Sequence, residues 1–295
     1  MKHAFLILAH KYNSAIVCLI ETILSDERTH VYLHLDSKCE DDLFLNHYIT
    51  NKRVTILPRH NLHWGHTSIL RQELRMLETS YLDGCDFFWL CSGDDAFTKP
   101  IADCLDFVEQ HQDVNFIATR PFVPCYLFWY HFGVRLQGRR YPSGIAKKLL
   151  LKQIEKQWFR KIPYEKYALG SQWWTINRVF AKFLIKESRS YRFRKTFFLS
   201  WMSDEVAIPM MARNFGFPLY STKSQWETCE NNFRLIDFSE SDPSKNDPPK
   251  TFGLQDLDRV MASPAWIVRK VDDALAEELF LLLNKKRCRL TSTKE

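Results

Sequence analysis

Residues 4–9 form a short apolar run, the length and texture of a buried strand, with the expected strand spanning 2–9. Asn13 then offers an N-cap to a helix that puts Ile16, Val17, Ile20, Ile23 and Leu24 on one face. Val31, Leu33 and Leu35 alternate with polar positions and predict a second strand ending at Asp36, and 54–57 predicts a third. Leu70, Leu74, Leu77 and Tyr81 recur at helical spacing behind Thr67 and Ser68. Residues 87–91 are apolar without a break, as in a strand covered on both faces. Ser92, Gly93, Asp94 and Asp95 interrupt that run, and a helix over 102–110 and a strand over 115–118 follow. This alternation of strand and helix predicts an α/β fold with a mostly parallel, doubly wound sheet.

The pattern loosens over 121–167, where aromatic and basic residues mix. Residues 171–175 lead into a helix over 177–186, and Ser203 starts another. The polar, proline-rich stretch 239–250 reads as a loop, and 255–261 and 271–283 as helices. With 295 residues, 45% of them hydrophobic and 26% charged, the chain can bury a large core. It is expected to be one domain over 1–295, with a nucleotide-binding half over 1–120 and an acceptor or catalytic half over 121–295. The net charge of +6 suits an anionic ligand or surface but is mild for a nucleic-acid binder, and no nucleic acid is expected as partner. The 8 cysteines lie at irregular spacings without a CxxC pair and read as mostly buried free thiols. No run of about 18 apolar residues occurs and the first residues run straight into a strand, so the expectation is a cytoplasmic protein.

Several chemistries are missing from the sequence: the glycine-rich phosphate loops GxGxxG and GxxxxGK[ST], the HExxH helix and the GxSxG elbow. A bound nucleotide must therefore sit on strand ends, where Asp36 and Asp95 fall. Asp94 and Asp95 are adjacent, and neighbouring side chains at a strand end diverge, so the expectation is no metal there. His60, His63 and His66 could attract zinc, yet no cysteine or acid completes the set, and a polar loop beside a cleft is the preferred reading. Ser203 can cap a helix whose first turn carries Asp204 and Glu205, which the helix dipole favours; alternatively one of these acids faces a cleft as a general base. Arg269 and Lys270, with Lys250 upstream, form either a solvated face or a positive site for a leaving diphosphate.

Seven segments in order carry a resemblance: 5–10 (FLILAH), 31–38 (VYLHLDSK), 64–68 (WGHTS), 87–95 (FFWLCSGDD), 170–174 (GSQWW), 203–205 (SDE) and 252–270, from Phe252-Gly253 to Arg269-Lys270. From about Phe5 to Lys270 the chain resembles the core-2/I-branching β-1,6-N-acetylglucosaminyltransferases and their peptide O-xylosyltransferase relatives, glycosyltransferase family 14. The resemblance implies a GT-A-type fold, an inverting reaction and metal independence. It implies a UDP-sugar donor and a glycan or glycolipid acceptor, with no cofactor. It puts the catalytic base on Glu205 and a diphosphate contact on Lys270, beside Arg269. The nucleoside end maps onto His10 and Asp36, and the Gly-x-Asp turn onto Gly93 and Asp95.

Three departures accompany it. Lys250 is near the place of the family's second diphosphate cation but out of register. Pro209 lies four residues after Glu205 and removes the helical partner of the Glu205 carbonyl, which predicts a kink. The membrane anchor and stem of animal members are expected to be absent. Transfer of xylose or another sugar, and a non-catalytic glycan- or nucleotide-binding role, are the competing readings. Between Arg135 and Lys166 ten basic residues face two acids, with Lys148, Lys152 and Lys156 on one helical face and Leu150, Leu151, Ile154 and Trp158 on another. Such a helix predicts weak, salt-reversible contact with an anionic membrane, or else packs on the core as an ordinary surface helix.

Overall fold

The computed structural model describes residues 1–40, 47–121, 164–198, 200, 202–220, 233–239 and 248–292, with side chains of the last helix up to Lys285. The elements in chain order are β1 (His3–Ala9), α1 (Ser14–Leu24), β2 (Thr29–Leu35), β3 (Val54–Ile56), α2 (Thr67–Leu82), β4 (Phe87–Ser92), β5 (Asp95–Phe97), α3 (Ile101–Gln110), β6 (Phe116–Ile117), β7 (Arg120–Pro121), β8 (Ala168–Leu169), β9 (Trp174–Asn177), α4 (Arg178–Ser188), α5 (Tyr191–Phe197), α6 (Ser203–Phe215), β10 (Arg234–Ile236), a 3-10 turn (Leu254–Asp256), α7 (Leu257–Ala262), β11 (Ile267–Arg269) and α8 (Asp273–Ser292).

Six strands form the main sheet in the order β3-β2-β1-β4-β9-β6. β1, β2, β3 and β4 pair in parallel, and β9 runs antiparallel to both β4 and β6. Only β9 is reversed, so the expected mostly parallel α/β sheet is what the chain builds. The apolar strands divide their side chains between two layers by the two-residue period of a strand. On β1 and β4, Phe5, Ile7, Phe87, Trp89 and Cys91 pack with α1 and α3. Ala4, Leu6, Phe88 and Leu90 pack with α2, α4 and α6 on the other face. Helices thus cover both faces, which is why these strands read as continuous apolar runs.

Local signals place the helices. The Asn13 side chain accepts from Ile16 N at 3.4 Å and starts α1. α2 starts at Thr67, as expected, behind a His66 cap whose Nδ1 accepts from Ser68 N at 3.0 Å. The segment after 171 holds strand β9 before its helix, which starts at Arg178 behind an Asn177 cap.

A second sheet, β10-β11-β5, had no signal in the alternation because each strand is three residues long. Its members β10 and β11 are parallel, and β11 is antiparallel to β5, with Arg269 opposite Asp95. It packs against α8 through Ala96, Val268, Leu275 and Leu279. Asp95 therefore opens a strand of a second sheet, where the sequence had suggested a turn. Two of its three strands, β10 and β11, come from the C-terminal half of the chain.

Among the described residues no helix is long and apolar enough to cross a membrane. Cys85, Cys91 and Cys104 are buried free thiols, and Cys18 and Cys39 are free and half-buried. The basic amphipathic stretch 135–166 lies outside the described residues except for its last three, as does most of the loop over 239–250.

Candidate active site

The carboxyl ends of β1 and β4 meet at one edge of the main sheet. Gly93 N donates to Leu8 O at 2.9 Å, and a Cβ at Gly93 would lie 3.0 Å from Ala9 Cβ, so only glycine fits this close approach without displacement. The two acids that follow part company. Asp94 turns toward β1, where Lys11 Nζ lies 3.2 Å and His10 Nε2 4.0 Å away. Asp95, fully buried, points into the second sheet. It accepts from Ser92 N at 3.0 Å, Arg234 at 3.2 Å and Arg269 at 3.2 Å. Burial pushes the Asp95 carboxyl up, while the two guanidiniums and the Ser92 N–H pull it back toward the charged form. With one carboxylate against two guanidiniums, this buried group keeps a net positive charge.

Arg269 is locked further by its guanidinium stacking 3.8 Å from the centre of the Trp173 ring. Lys270, next in the chain, is half-buried and makes no ion pair among the described residues. Burial lowers its pKa first, with Arg269 and Lys11 adding to the effect and Asp94 and Asp95 opposing it. His10 is also lowered, chiefly by burial, so its imidazole is neutral at neutral pH. Cations pressed together in this way gain from a polyanion placed among them.

Asp36 ends β2 and is 3% exposed, its carboxylate taken up by Lys38 N at 2.9 Å and Leu62 N at 3.0 Å. It clamps the loop over 59–62 to the sheet edge. Lys250 is tied to Asp256 at 3.0 Å, so its charge is balanced within its own segment. His60 stacks on His34, and His66 Nδ1 is spent on the α2 cap. Among the described residues no three His, Cys, Asp or Glu side chains are grouped to hold a metal.

A second group of charges lies at the N-terminus of α6. Met202, in the left-handed region at φ 48°, donates its N–H to Gly65 O at 2.8 Å and joins the 64–66 loop to the start of the helix. Ser203 and Asp204 are buried, and Glu205 is half-buried. Burial and then Asp204 push the Glu205 carboxyl up to about 8, against the pull of Arg120. Burial raises Asp204 to about 6. Glu73 of α2 faces both of them and is 1% exposed.

The segment 170–173 joins the two groups. Gly170 N donates to Glu205 O at 2.9 Å, Gln172 Nε2 donates to Glu73 Oε1 at 2.7 Å, and Trp173 carries Arg269. Four residues thus span from the acids of α6 to the cations at the sheet edge.

The family model described as Core-2/I-branching enzyme matches residues 3–261, most of the chain. The chain belongs to the Core-2/I-branching enzyme family. It is a glycosyltransferase, with a nucleotide-sugar donor and a glycan acceptor. No curated protein matches. Among solved structures, mouse xyloside xylosyltransferase 1 in its apo form aligns over 91% of this chain and 97% of its own, at 8% identity and a TM-score of 0.44.

Within this family member the structure gathers His10, Gly93, Arg269 and Lys270 at one sheet edge and puts Glu205 on the α6 turn. Asp36, Asp95 and Lys250 are engaged in protein contacts of their own. Sequence reasoning passed over Lys11, Arg234, Gln172 and Glu73. Lys11 and Arg234 carry no local signal, because their partners are 83 or more residues away. Glu73 did carry one. It falls on the same helical face as Leu70 and Leu77, and an acid on an apolar face asks for an explanation.

Proposed function

We propose that this transferase moves N-acetylglucosamine from UDP-N-acetylglucosamine onto a glycan hydroxyl, forming a β-1,6 branch with inversion and without a metal. The donor and linkage are read from the family. The observation that carries the rest is the pairing of two cations at the sheet edge, Lys270 with no ion pair among the described residues and Lys11 held by Asp94, with the half-buried Glu205, the two ends fixed by 170–173.

In this reading Glu205 takes the proton of the acceptor hydroxyl as that oxygen bonds to the anomeric carbon. The bond from the anomeric carbon to the diphosphate oxygen breaks, and its electron pair leaves on the nucleoside diphosphate. Lys270 and Lys11 face that growing charge, with Arg269 and Arg234 holding net positive charge behind them. Fixed cations at a developing charge stabilise the transition state more than the ground state. Lys11 replaces Lys250 as the second cation, since Lys250 is committed to Asp256. Asp94 restrains Lys11 until the donor arrives. Asp95 is withheld from a metal by its two arginines.

Assay of UDP-sugar turnover in excess chelator tests this. Activity is expected to persist unchanged. Activity lost to chelator and restored by manganese would overturn both the metal independence and the roles of Lys11 and Lys270.

A further inference from the structure

Glu73 has no part in that chemistry, yet it is a buried acid beside it, 1% exposed. Its carboxyl faces Asp204 and Glu205 from α2, and across from α6 its hydrogen-bond partner is the neutral amide of Gln172 at 2.7 Å. Among the described residues its second oxygen, Oε2, is buried without a hydrogen-bond partner, and so is Asp204 Oδ1. Among the described residues no cation faces Glu73. Asp204 has the backbone amides of the α6 first turn, and Glu205 has partial exposure and Arg120.

Three carboxylates in one buried group cannot all be ionised, because each charge is desolvated and repelled by the others. The proton stays where compensation is poorest, and that place is Glu73. Burial first, then Asp204 and Glu205, push its carboxyl well above the ordinary range, while the Gln172 hydrogen bond opposes them.

We propose that Glu73 is a positioning residue for transfer: as a neutral carboxyl it holds Gln172, and so the 170–173 segment, without adding a third negative charge against Glu205. It acts at both ends of the site through one contact. Gln172 is next to Trp173, on which Arg269 rests, and two residues from Gly170, which holds the Glu205 carbonyl. The inference rests on Glu205 as base, and the two can fail separately.

Glu73→Gln preserves shape, neutrality and the acceptor for Gln172. Glu73→Leu removes the acceptor. Turnover of Glu73→Gln is expected within about twofold of wild type, with the acid side of its pH–rate profile unmoved, whereas Glu73→Leu loses about tenfold or more in kcat. Infrared difference spectra at neutral pH are expected to show a protonated carboxyl band in Glu205→Gln that is missing from the double variant Glu73→Gln/Glu205→Gln. The proposal is overturned if Glu73→Gln loses as much turnover as Glu205→Gln, if its acid limb shifts, if Glu73→Leu turns over like wild type, or if Glu205→Gln lacks that band. Full turnover in Glu205→Gln would instead remove the base assignment and leave the infrared result standing.

Discussion

At the scale of single residues, charge is placed by burial more than by sequence neighbours. Asp94 and Asp95 are adjacent, yet one faces a half-exposed lysine and the other two buried arginines. Removing one member of a buried ion group costs more than the group contributes as a whole, since the remaining charge is left desolvated. Asp95→Asn keeps the size of the side chain and leaves Arg234 and Arg269 without a counter-charge. It is expected to lower unfolding stability by about 3–5 kcal/mol, read as an earlier midpoint in urea with an unchanged slope. A midpoint equal to wild type would mean that the second sheet does not depend on this group. That the side chains of Asp94 and Asp95 part company was legible, because adjacent side chains at a strand end diverge. The partners of Asp95 were not legible, for Arg234 lies 139 residues away.

At the scale of elements, the α6 helix shows how a local defect is used. Pro209 has no N–H, and the carbonyl of Glu205 loses its partner within the helix. The sequence predicts a kink there. The structure supplies the partner from outside: Gly170 N donates to Glu205 O at 2.9 Å. The proline thus frees the backbone acceptor of the proposed base's own residue and ties it to the 170–173 segment. Only glycine fits at 170, where a Cβ would lie 1.9 Å from Ala118 O and 2.8 Å from Pro209 Cγ. Gly170→Ala is expected to cost more than the roughly 1–3 kcal/mol of ordinary overpacking, because the obstacle is backbone. It is also expected to lower kcat by displacing Gln172 and Trp173 together. A thermal midpoint and kcat both close to wild type would show that the segment does not carry the site. The long apolar strands and capped helices of the main sheet were readable from period and caps. The three-residue strands of the second sheet were not, since so short a run shows no period and its pairing is with distant chain.

At the scale of the whole molecule, the main sheet supplies a rigid edge, the second sheet delivers Arg269 and Lys270 to it, and the helical layer of α2 and α6 supplies the acids. The two ends of the site come from different layers, and 170–173 spans them. The family segments run in order along the sequence, which is why Glu205 and Lys270 could be named early as candidates. The group formed by Glu73, Asp204 and Glu205 could not, because it exists only once α2 packs against α6. The pH dependence follows from that packing. A base works when deprotonated, and burial together with Asp204 raises Glu205 to about 8. The acid limb of kcat/KM is therefore expected near pH 8 instead of in the ordinary carboxylate range, as a property of the group of acids together. The most direct measurement is turnover of Glu205→Gln against wild type across this pH range, with donor binding followed by thermal shift. A loss of roughly 10²–10⁴-fold in turnover is expected, with the donor-induced shift preserved. Turnover near the wild-type rate, with its acid limb intact, would contradict Glu205 as the base.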